Sequence, residues 1–362
     1  MADAISFSRG APSVDIVDIE GLRAAADRAF TNDPAGTTAY GTAVGYVPLR
    51  KLLAEKHGVA PEHVVVTNGS MQADAFLFDE LVTPGASVVV EKPSYDRTLL
   101  GLAERGADLT AIELEADGIS TSALRAALEG GLRPTFAHII PNYQNPGGST
   151  LPLEKRQELI ELAEEYDFLI FEDDPYREIR FRGDELPTMY ELAPQRVVYA
   201  SSFSKTVCPG VRVGYLVGAP DLIAKIVRRA TNTYIAPDML AQSVVYELAQ
   251  DKPRYDAAIA NVKAKLRERC DLLADSLEQH LPEAKFVRPD GGYFLWAELP
   301  ESYDVEAAAG KMADFDVAFV KGSDFLLEGG KSSLRLAYSA VRADQVDEGV
   351  QRLAACLNAH KS

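Results

Sequence analysis

Short apolar segments alternate with amphipathic segments along most of the chain. The apolar segments predict strands near residues 63–67, 87–91, 135–140, 168–172, 196–200 and 213–218. Between two of them, residues 154–166 repeat apolar side chains at helical spacing, with charged side chains between them, which predicts an amphipathic helix. Regular alternation of strands and helices predicts an α/β fold in which helices cover both faces of a mostly parallel sheet.

The last third of the chain has a different order of elements. Residues 251–279 predict one long helix with a polar face, followed by strands near 289–296, 317–321 and 334–338 and a final helix from about Asp344. We expect these elements to form a smaller α+β domain together with the start of the chain. The predicted division is an N-terminal arm and small-domain segment over 1–45, a large domain over 46–248, and a linking helix with a C-terminal small domain over 249–362.

A lysine stands in a serine-rich turn directly after the predicted strand 196–200. Ser202, Ser204 and Lys205 belong to this turn, and Arg212 follows seven residues after the lysine. Ligands of open α/β sheets bind at the carboxyl ends of the strands. Hydroxyl and guanidinium groups bind phosphate, and a lysine amine forms a Schiff base with a carbonyl compound. The combination indicates pyridoxal phosphate (PLP) as a cofactor.

Acidic and amide side chains follow two other predicted strands. Asp173 comes after strand 168–172 and is a candidate to keep the pyridine nitrogen of PLP protonated. Tyr176 and Asn145 are candidates to hydrogen-bond the 3-oxygen of the ring. Asp174 offers the same carboxylate one residue later and could exchange roles with Asp173, and Asn145 could instead be a plain turn residue.

A Gly-Ser turn joins the predicted strand 63–67 to a helix. Gly69 would allow close approach of the backbone, and we expect Ser70 to cap the helix. The free N–H groups and the dipole of a helix start suit a phosphate. Met71, the next residue, belongs to the same predicted cofactor site.

One aromatic residue and one arginine complete the set of candidates. Tyr95 follows the predicted strand 87–91 and could stack on the cofactor ring, with core packing as the alternative. Arg335 lies in an apolar strand, where a guanidinium is the expected bidentate partner of a substrate α-carboxylate. The alternative for Arg335 is a structural ion pair.

Six motifs in this order resemble the class I/II aminotransferases of PLP fold type I. They read Asn-Gly-Ser-x-Gln-Ala, Pro-x-Tyr-Gln-Asn-Pro-x-Gly, Glu-Asp-Asp-x-Tyr-Arg-Glu, Ser-Phe-Ser-Lys-x-x-x-Pro-Gly-x-Arg-x-Gly, Pro-x-Gly-Gly-x-Phe-x-Trp and Leu-Arg-Leu-x-Tyr. The resemblance is strongest to the subgroup with the 2-aminoadipate and aromatic aminotransferases and the aminotransferase-like part of MocR-type regulators. It extends from about Ser8 to Tyr338.

The resemblance implies a role for each candidate. Lys205 would carry the cofactor and move a proton, Asp173 would pair with the ring nitrogen, and Arg335 would bind the substrate α-carboxylate. Asn145 and Tyr176 would contact the 3-oxygen. The phosphate would be held by hydroxyl and guanidinium groups, namely Ser70, Ser202, Ser204 and Arg212.

The resemblance also implies an activity and a partner. The activity is transfer of an amino group between an L-amino acid and a 2-oxo acid by a ping-pong mechanism. Tyr40 matches a tyrosine that reaches the phosphate in the neighbouring subunit, which implies a homodimer. A PLP-binding regulator that contacts DNA is a third possibility, which the acidic charge of this chain disfavours.

Two departures from the family pattern concern the substrate. Arg9 stands where glycine is expected, and either meets a substrate carboxylate or projects into solvent. Lys321 stands where proline is usual and would add a cation near the entrance. These departures keep open PLP-dependent elimination, replacement or cyclisation on an amino-acid side chain.

Composition restricts the remaining classes of function. The 362 residues carry a net charge of −17, which opposes binding to nucleic acid or to an anionic membrane surface. No apolar run approaches the roughly 20 residues of a membrane span, and the first residues lack the features of a signal peptide. Three scattered cysteines and five histidines without ligand spacing predict neither disulfides nor a metal site. We expect a cytoplasmic enzyme.

Overall fold

A computed structural model describes residues 4–361 and shows an α/β architecture with three sheets. The α-helices are α1 (Ile19–Asn32), α2 (Pro34–Thr38), α3 (Val47–Lys56), α4 (Ser70–Leu81), α5 (Asp96–Glu104), α6 (Thr121–Glu129), α7 (Leu153–Glu165), α8 (Met189–Leu192), α9 (Pro220–Tyr234), α10 (Met239–Gln250), α11 (Lys252–His280), α12 (Val305–Ala309) and α13 (Val346–Asn358). The strands are β1 (Ile5–Ser6), β2 (Val64–Thr67), β3 (Ser87–Lys92), β4 (Asp108–Glu115), β5 (Gly118–Ile119), β6 (Phe136–Ile139), β7 (Leu169–Asp173), β8 (Val197–Ser202), β9 (Gly214–Val217), β10 (Phe294–Glu298), β11 (Val317–Ala318), β12 (Val320–Lys321) and β13 (Ser333–Ala337).

The largest sheet has eight strands in the order β2-β9-β8-β7-β6-β3-β4-β5. Strands β8, β7, β6, β3 and β4 pair in parallel. Strand β9 is antiparallel to both β8 and β2, so β2 runs in the same direction as the parallel group. The carboxyl ends of these six strands therefore share one edge of the sheet.

Alternating side chains of this sheet enter two separate apolar layers. In β2, Val64 and Val66 pack in one layer with helices α3 and α7, and Val65 packs in the other with helices α4 and α9. Because the sheet is covered on both faces, its strands are apolar on both faces. This explains the short unbroken apolar runs in the sequence.

The remaining strands form two small sheets in the C-terminal part of the fold. Strand β13 lies between β10 and β12, antiparallel to both. Strand β1, from the start of the chain, pairs in parallel with β11, where Ile5 faces Val317. A third apolar cluster joins these sheets to helices α11 and α13.

The strand and helix predictions are confirmed, with differences at the edges of the fold. The predicted helices over 154–166 and 251–279 are α7 and α11, each within a residue of the expected bounds at both ends. Strands β4 and β5 were not predicted from the sequence, because β4 alternates charged with apolar residues at the sheet margin. The predicted strand 289–296 begins only at Phe294.

Within residues 4–361, no helix combines the length and the apolar character that crossing a bilayer requires.

Candidate active site

A cavity of about 390 Å³ opens at the shared carboxyl edge of the large sheet. Most of the residues that the sequence singled out line it: Arg9, Ser70, Met71, Tyr95, Asn145, Asp173, Tyr176, Ser202, Ser204, Lys205, Arg212 and Arg335. The fold brings these residues together because they follow strands β2, β3, β6, β7 and β8 or come from β13 and the N-terminal segment. Residues far apart in the chain thus share one site.

Three residues with a predicted role near the site do not line the cavity. Gly69 lies behind its wall, where a β-carbon would come within 2.1 Å of an Arg212 nitrogen. Tyr40 is 91% exposed and reaches nothing in the cavity of its own chain. Lys321, expected near the entrance, instead lies 2.8 Å from Glu306 and 3.5 Å from Asp324.

Lys205 follows the end of β8 and points into the cavity. Its Nζ donates a hydrogen bond of 2.9 Å to the carbonyl oxygen of Gly10. It also lies 5.7 Å from the ring centre of Tyr176 and 5.1 Å from that of Tyr293. Burial lowers the pKa of Lys205 to about 8, and the Arg335 guanidinium opposes protonation further. A lysine with this pKa can accept a proton near neutral pH.

The Tyr293 hydroxyl stabilises the turn that carries Lys205. It donates a 2.7 Å hydrogen bond to the backbone carbonyl of Lys205. Sequence reasoning missed Tyr293, although it is part of the Gly-Gly-Tyr-Phe motif, because its partner is a backbone atom distant in the chain.

Asp173, the last residue of β7, is buried with one oxygen paired and one free. Its Oδ2 lies 3.5 Å from Nε2 of His138, and its Oδ1 has no hydrogen-bond partner among the described residues. The Thr98 hydroxyl lies 3.4 Å from the same Nε2 of His138. A buried carboxylate oxygen without a partner is costly, and this one borders a cavity, where a cationic N–H group would satisfy it.

Asp74 is a second acid on the cavity wall that sequence reasoning missed. It lies one helical turn after Ser70 on α4, is 7% exposed, and its Oδ1 also lacks a partner among residues 4–361. Burial raises the pKa of Asp74 well above its usual value, and the negative charge of Asp173 raises it further. Its i, i+4 spacing puts Asp74 on the same face of α4 as Ser70, and this spacing is the signal by which the sequence could have identified it.

The phosphate end of the predicted site combines a helix start with hydroxyl groups. Arg212 has a left-handed backbone (φ +48°) and its Nη1 donates to the Ser204 hydroxyl at 3.1 Å. The Ser204 N–H donates to the Ser202 hydroxyl at 3.0 Å. The prediction that Ser70 caps α4 was wrong: Ser70 is its first residue, and the N-cap is Gly69 (φ +85°), without a side-chain cap.

Because the N-cap of α4 is a glycine, the first N–H groups of this helix have no side-chain acceptor. An anion can accept hydrogen bonds from them instead. These features fit PLP: hydroxyl groups, a guanidinium and a helix start for its phosphate, the free oxygen of Asp173 for its ring nitrogen, and the Lys205 amine for its aldehyde.

Arg335 of β13 lies across the cavity between two aromatic rings. Its guanidinium carbon lies 4.2 Å from the ring centre of Phe294 and 4.7 Å from that of Phe325. Its Nη1 donates to Asn145 Oδ1 at 3.1 Å and its Nη2 to the Ser8 carbonyl at 2.9 Å, and its buried Nε has no partner in the described part of the chain. The stacked guanidinium is thus fixed in position with a donor to spare.

The aromatic candidates enclose the middle of the cavity. Tyr176 is buried, and burial raises its pKa well above 10, so its hydroxyl stays protonated and acts as a donor at neutral pH. The Tyr95 hydroxyl lies 4.0 Å from the sulfur of Met71. At the mouth, Asp96 and Arg97 of α5 join Arg9, and neither was singled out from the sequence because charged residues in a first helical turn are common on surfaces.

Comparison with known proteins extends over nearly the whole chain. The family model described as aminotransferase class I and II matches residues 2–353. The 2-aminoadipate transaminase of Thermus thermophilus is 33% identical over 359 residues, which cover 98% of this chain and 90% of that protein. The aromatic-amino-acid aminotransferase 1 of Thermococcus litoralis is 29% identical over 366 residues, covering 98% of this chain and 88% of that protein.

Solved structures show the same agreement. The α-aminoadipate aminotransferase of Thermus thermophilus, complexed with N-(5′-phosphopyridoxyl)-L-leucine, superposes with a TM-score of 0.94 at 32% identity, covering 99% of this chain and 92% of that one. The kynurenine aminotransferase of Pyrococcus horikoshii, in complex with PMP, superposes with a TM-score of 0.93 at 30% identity, covering 99% and 91%.

The buried acid Asp74 leads to a prediction about stability. Because its proton is retained in the folded chain and lost from the unfolded chain, Asp74 destabilises the wild type increasingly as pH rises above 4. Asp74→Asn removes this effect, so the variant should gain stability over the wild type between pH 5.5 and 7.5, by at most about 1.4 kcal/mol per pH unit. Urea unfolding of the cofactor-free proteins measures the difference.

The matched control is Asp79→Asn on the same helix, which removes an ion pair with Arg105 of 2.6 Å. Asp79→Asn should lower the free energy of unfolding at both pH 5.5 and pH 7.5. A difference between the Asp74 variant and the wild type that stays constant with pH would show that Asp74 is ionised in the folded protein.

The environment of Lys205 predicts its titration. In the cofactor-free protein, competitive acetylation followed by mass spectrometry should show Lys205 reaching half of its maximal reactivity at about pH 8. The highly exposed Lys252 serves as the reference within the same sample. Joint titration of the two lysines would contradict the burial of the Lys205 amine.

Proposed function

The chain belongs to the class I and II aminotransferases, and on that basis we propose how its cavity carries out the reaction. The protein is a PLP-dependent transferase that moves an amino group between an amino acid and a 2-oxo acid. The observation that carries the proposed roles is the buried Lys205 amine with its lowered pKa, held in one cavity with Asp173 and Arg335.

When bound, PLP supplies an electron sink that stabilises the carbanion left when the α-proton of the amino acid is removed. Asp173 would hold the ring nitrogen in its protonated form through its free Oδ1, with His138 beside its other oxygen. Ser70, Ser202, Ser204 and Arg212 would hold the phosphate, and Gly69 lets Arg212 approach the start of α4.

Lys205 acts as the base and acid of the reaction. With PLP bound, Lys205, whose pKa is about 8, would take the α-proton of the amino acid at its Nζ and hold it for the second half of the proton transfer. The neighbouring Arg335 and Arg212 guanidinium groups lower the cost of leaving the amine neutral. The Gly10 carbonyl and the rings of Tyr176 and Tyr293 orient it.

Arg335 and Asn145 orient the substrate. Arg335 binds the α-carboxylate with the planar guanidinium fork that Phe294 and Phe325 hold in place. The Asn145 amide and the protonated Tyr176 hydroxyl donate to the 3-oxygen of the cofactor ring. Tyr95 would cover the cofactor ring, with Met71 beside the Tyr95 hydroxyl. Side-chain elimination, replacement or cyclisation is not favoured, since the family and the relatives named above transfer amino groups.

We also propose a homodimer with a shared site. Tyr40 is almost fully exposed, and other large apolar side chains are exposed nearby on α4, α9, α10 and their connections, namely Met71, Ile235 and Leu240. Tyr40 adjoins Gly41, which packs against Met239 at the start of α10. Burying this face against a second copy would bring Tyr40 to the phosphate of the neighbouring site.

The proposed organisation follows the expected segments, with a large PLP-binding domain over 46–248 between an N-terminal arm and a C-terminal small domain over 249–362. The third apolar cluster, which joins the first residues to α11 and α13, supports it. The proposed location is the cytoplasm, supported by the three free cysteines Cys208, Cys270 and Cys356.

The decisive experiment follows the first half of the reaction. The PLP-loaded protein mixed with an amino acid alone should lose the visible absorption band of the bound cofactor and release a stoichiometric amount of 2-oxo acid. Lys205→Ala should abolish this release, because it removes the amine proposed to take the α-proton of the amino acid. Turnover to ammonia without 2-oxo acid in stoichiometric amount, or an unchanged band in Lys205→Ala, would contradict the assignment.

Tyr40→Phe tests the shared site. Loss of one hydrogen bond to a phosphate should weaken PLP binding about 10-fold, with little change in the stability of the cofactor-free chain. Fluorescence titration measures the affinity, and sedimentation measures the oligomeric state. Tyr166→Phe, a tyrosine at the end of α7 away from the cavity, is the control. A monomer with full PLP affinity would exclude the role of Tyr40.

A further inference from the structure

The second aspartate of the Glu-Asp-Asp motif takes no part in the roles proposed above. Asp174 directly follows β7 and is fully buried. It lies behind the wall of the cavity, which its neighbour Asp173 lines. Asp174 therefore does not reach a group bound in the cavity as Asp173 would. Because a carboxylate is costly to bury, the contacts of Asp174 indicate what it does.

The carboxylate of Asp174 contacts the loop that follows β6. Asn142 Nδ2 lies 2.9 Å from both Oδ1 and Oδ2 of Asp174 and donates to them. Asn142 stands three residues before Asn145, and both asparagines are buried. This hydrogen bond therefore joins the end of β7 to the loop that carries Asn145.

A buried arginine determines which way the Asn142 amide faces. Arg156 of α7 is fully buried, and its Nη2 donates to Asn142 Oδ1 at 2.7 Å. A guanidinium has no acceptor atom, so the amide oxygen must face Arg156 and the amide nitrogen must face Asp174. The carbonyl oxygens of Leu151 and Pro187 fix Arg156 itself, each at 2.9 Å. The amide of Asn142 thus has a single orientation that satisfies both neighbours.

The backbone of Asp174 contacts the strand that leads to Lys205. Its N–H donates to the Ala200 carbonyl oxygen, and its own carbonyl oxygen accepts from the Ser201 hydroxyl, each at 2.9 Å. Both partners belong to β8, and β7 lies between β6 and β8 in the sheet. Asp174 therefore connects the ends of three neighbouring strands, which are followed by or end in Asn145, Asp173 and Lys205.

The surroundings of Asp174 keep its carboxylate ionised at neutral pH. Burial raises the pKa of Asp174 to about 6, and the charge of Asp173 acts in the same direction. The Asn142 hydrogen bond and the charges of Arg156 and Arg177 act against this rise. An ionised carboxylate accepts at both oxygens and donates nowhere, which matches the amide nitrogen that it faces.

We propose that Asp174 is a positioning residue that sets Asn145 relative to Asp173 and Lys205. It does so through Asn142 on one side and through the end of β8 on the other. This inference rests on the proposed function, because it requires that Asn145 donates to the 3-oxygen of the cofactor ring.

The test exchanges the two partners of the hydrogen bond. Asp174→Asn offers the Asn142 amide one acceptor oxygen instead of two and turns a donor N–H group toward another. Combining it with Asn142→Asp restores the match, because the carboxylate at position 142 accepts from Arg156 and from the amide at position 174. The double variant has the same net charge as the wild type.

The readout is the pH at which the visible absorption band of the PLP-loaded protein changes. A donor on the 3-oxygen of the cofactor withdraws negative charge from it, which disfavours a proton on the neighbouring Schiff-base nitrogen. Asp174→Asn should therefore raise the transition by about 0.5 to 1 pH unit, the shift that corresponds to the loss of one hydrogen bond. The double variant should return to the wild-type transition.

Glu172→Gln is the matched control. Glu172 is a buried carboxylate of the same strand, and it accepts from the backbone N–H groups of Met189 and Tyr190 at 3.0 and 2.9 Å. It does not line the cavity. This variant removes a buried carboxylate close to Asp174 without changing the Asn142 hydrogen bond, so its transition should stay at the wild-type pH. If Asp174→Asn does not fold, Asn142→Ala breaks the same hydrogen bond from the loop and should give the same upward shift.

The outcomes separate this inference from the proposed function. An unchanged transition in Asp174→Asn or Asn142→Ala, an equal shift in Glu172→Gln, or a double variant that keeps the shift would each overturn the positioning role. The assignment of the cofactor contacts would then stand. If Asn145→Ala itself leaves the transition unchanged, the proposed role of Asn145 fails, and the inference fails with it.

Discussion

The site depends on one costly placement, the burial of the Lys205 amine beside other cations. Desolvation and the charge of Arg335 both oppose its protonation, and Asp173 compensates only in part. The surrounding residues make this placement possible: the Gly10 carbonyl accepts from the amine, two tyrosine rings cover it, and Tyr293 holds its backbone. A lysine in this setting gives up stability and gains a basicity suited to proton transfer near neutral pH.

The N-terminal segment connects the two cations that the reaction needs. Ser8 accepts from Arg335 and Gly10 accepts from Lys205, so three consecutive residues join β13 to the turn after β8. A substrate carboxylate that binds Arg335 would alter the hydrogen bond to Ser8. Movement of the Lys205 amine would remove the hydrogen bond to Gly10. Substrate binding, proton transfer and the position of Arg9 are therefore coupled through a few hydrogen bonds.

Sequence reasoning predicted the fold class and most of the cavity, because both follow from local signals. Strand ends followed by Asp173, Lys205 or Ser70 are visible as short motifs, and the sheet collects them at one edge. Asp74 was missed although it lies four residues after Ser70 on α4, and Arg97 was missed because charged residues in a first helical turn are common on surfaces. Tyr40 was identified by resemblance, and its own chain offers it no contact at the cavity.

The prediction that Ser70 caps α4 was also wrong because local signals do not include contacts with distant residues. A serine at a helix start is a strong local signal for a cap, yet the close approach of Arg212 and Gly214 to Gly69 moved the boundary by one residue. Tertiary contacts of a single glycine thus overrode a local preference. A helix boundary that depends on packing against distant residues cannot be predicted from the local sequence.

The pairing of β1 with β11 determines when the active site can form during synthesis of the chain. Ile5 leaves the ribosome more than 300 residues before its partner Val317. The carbonyl groups of Ser8 and Gly10 follow this strand, so the segment that meets Lys205 gains its strand partner only after β11 has been synthesised. The large sheet can form early, but the nascent chain acquires its finished pocket only as its last strands emerge.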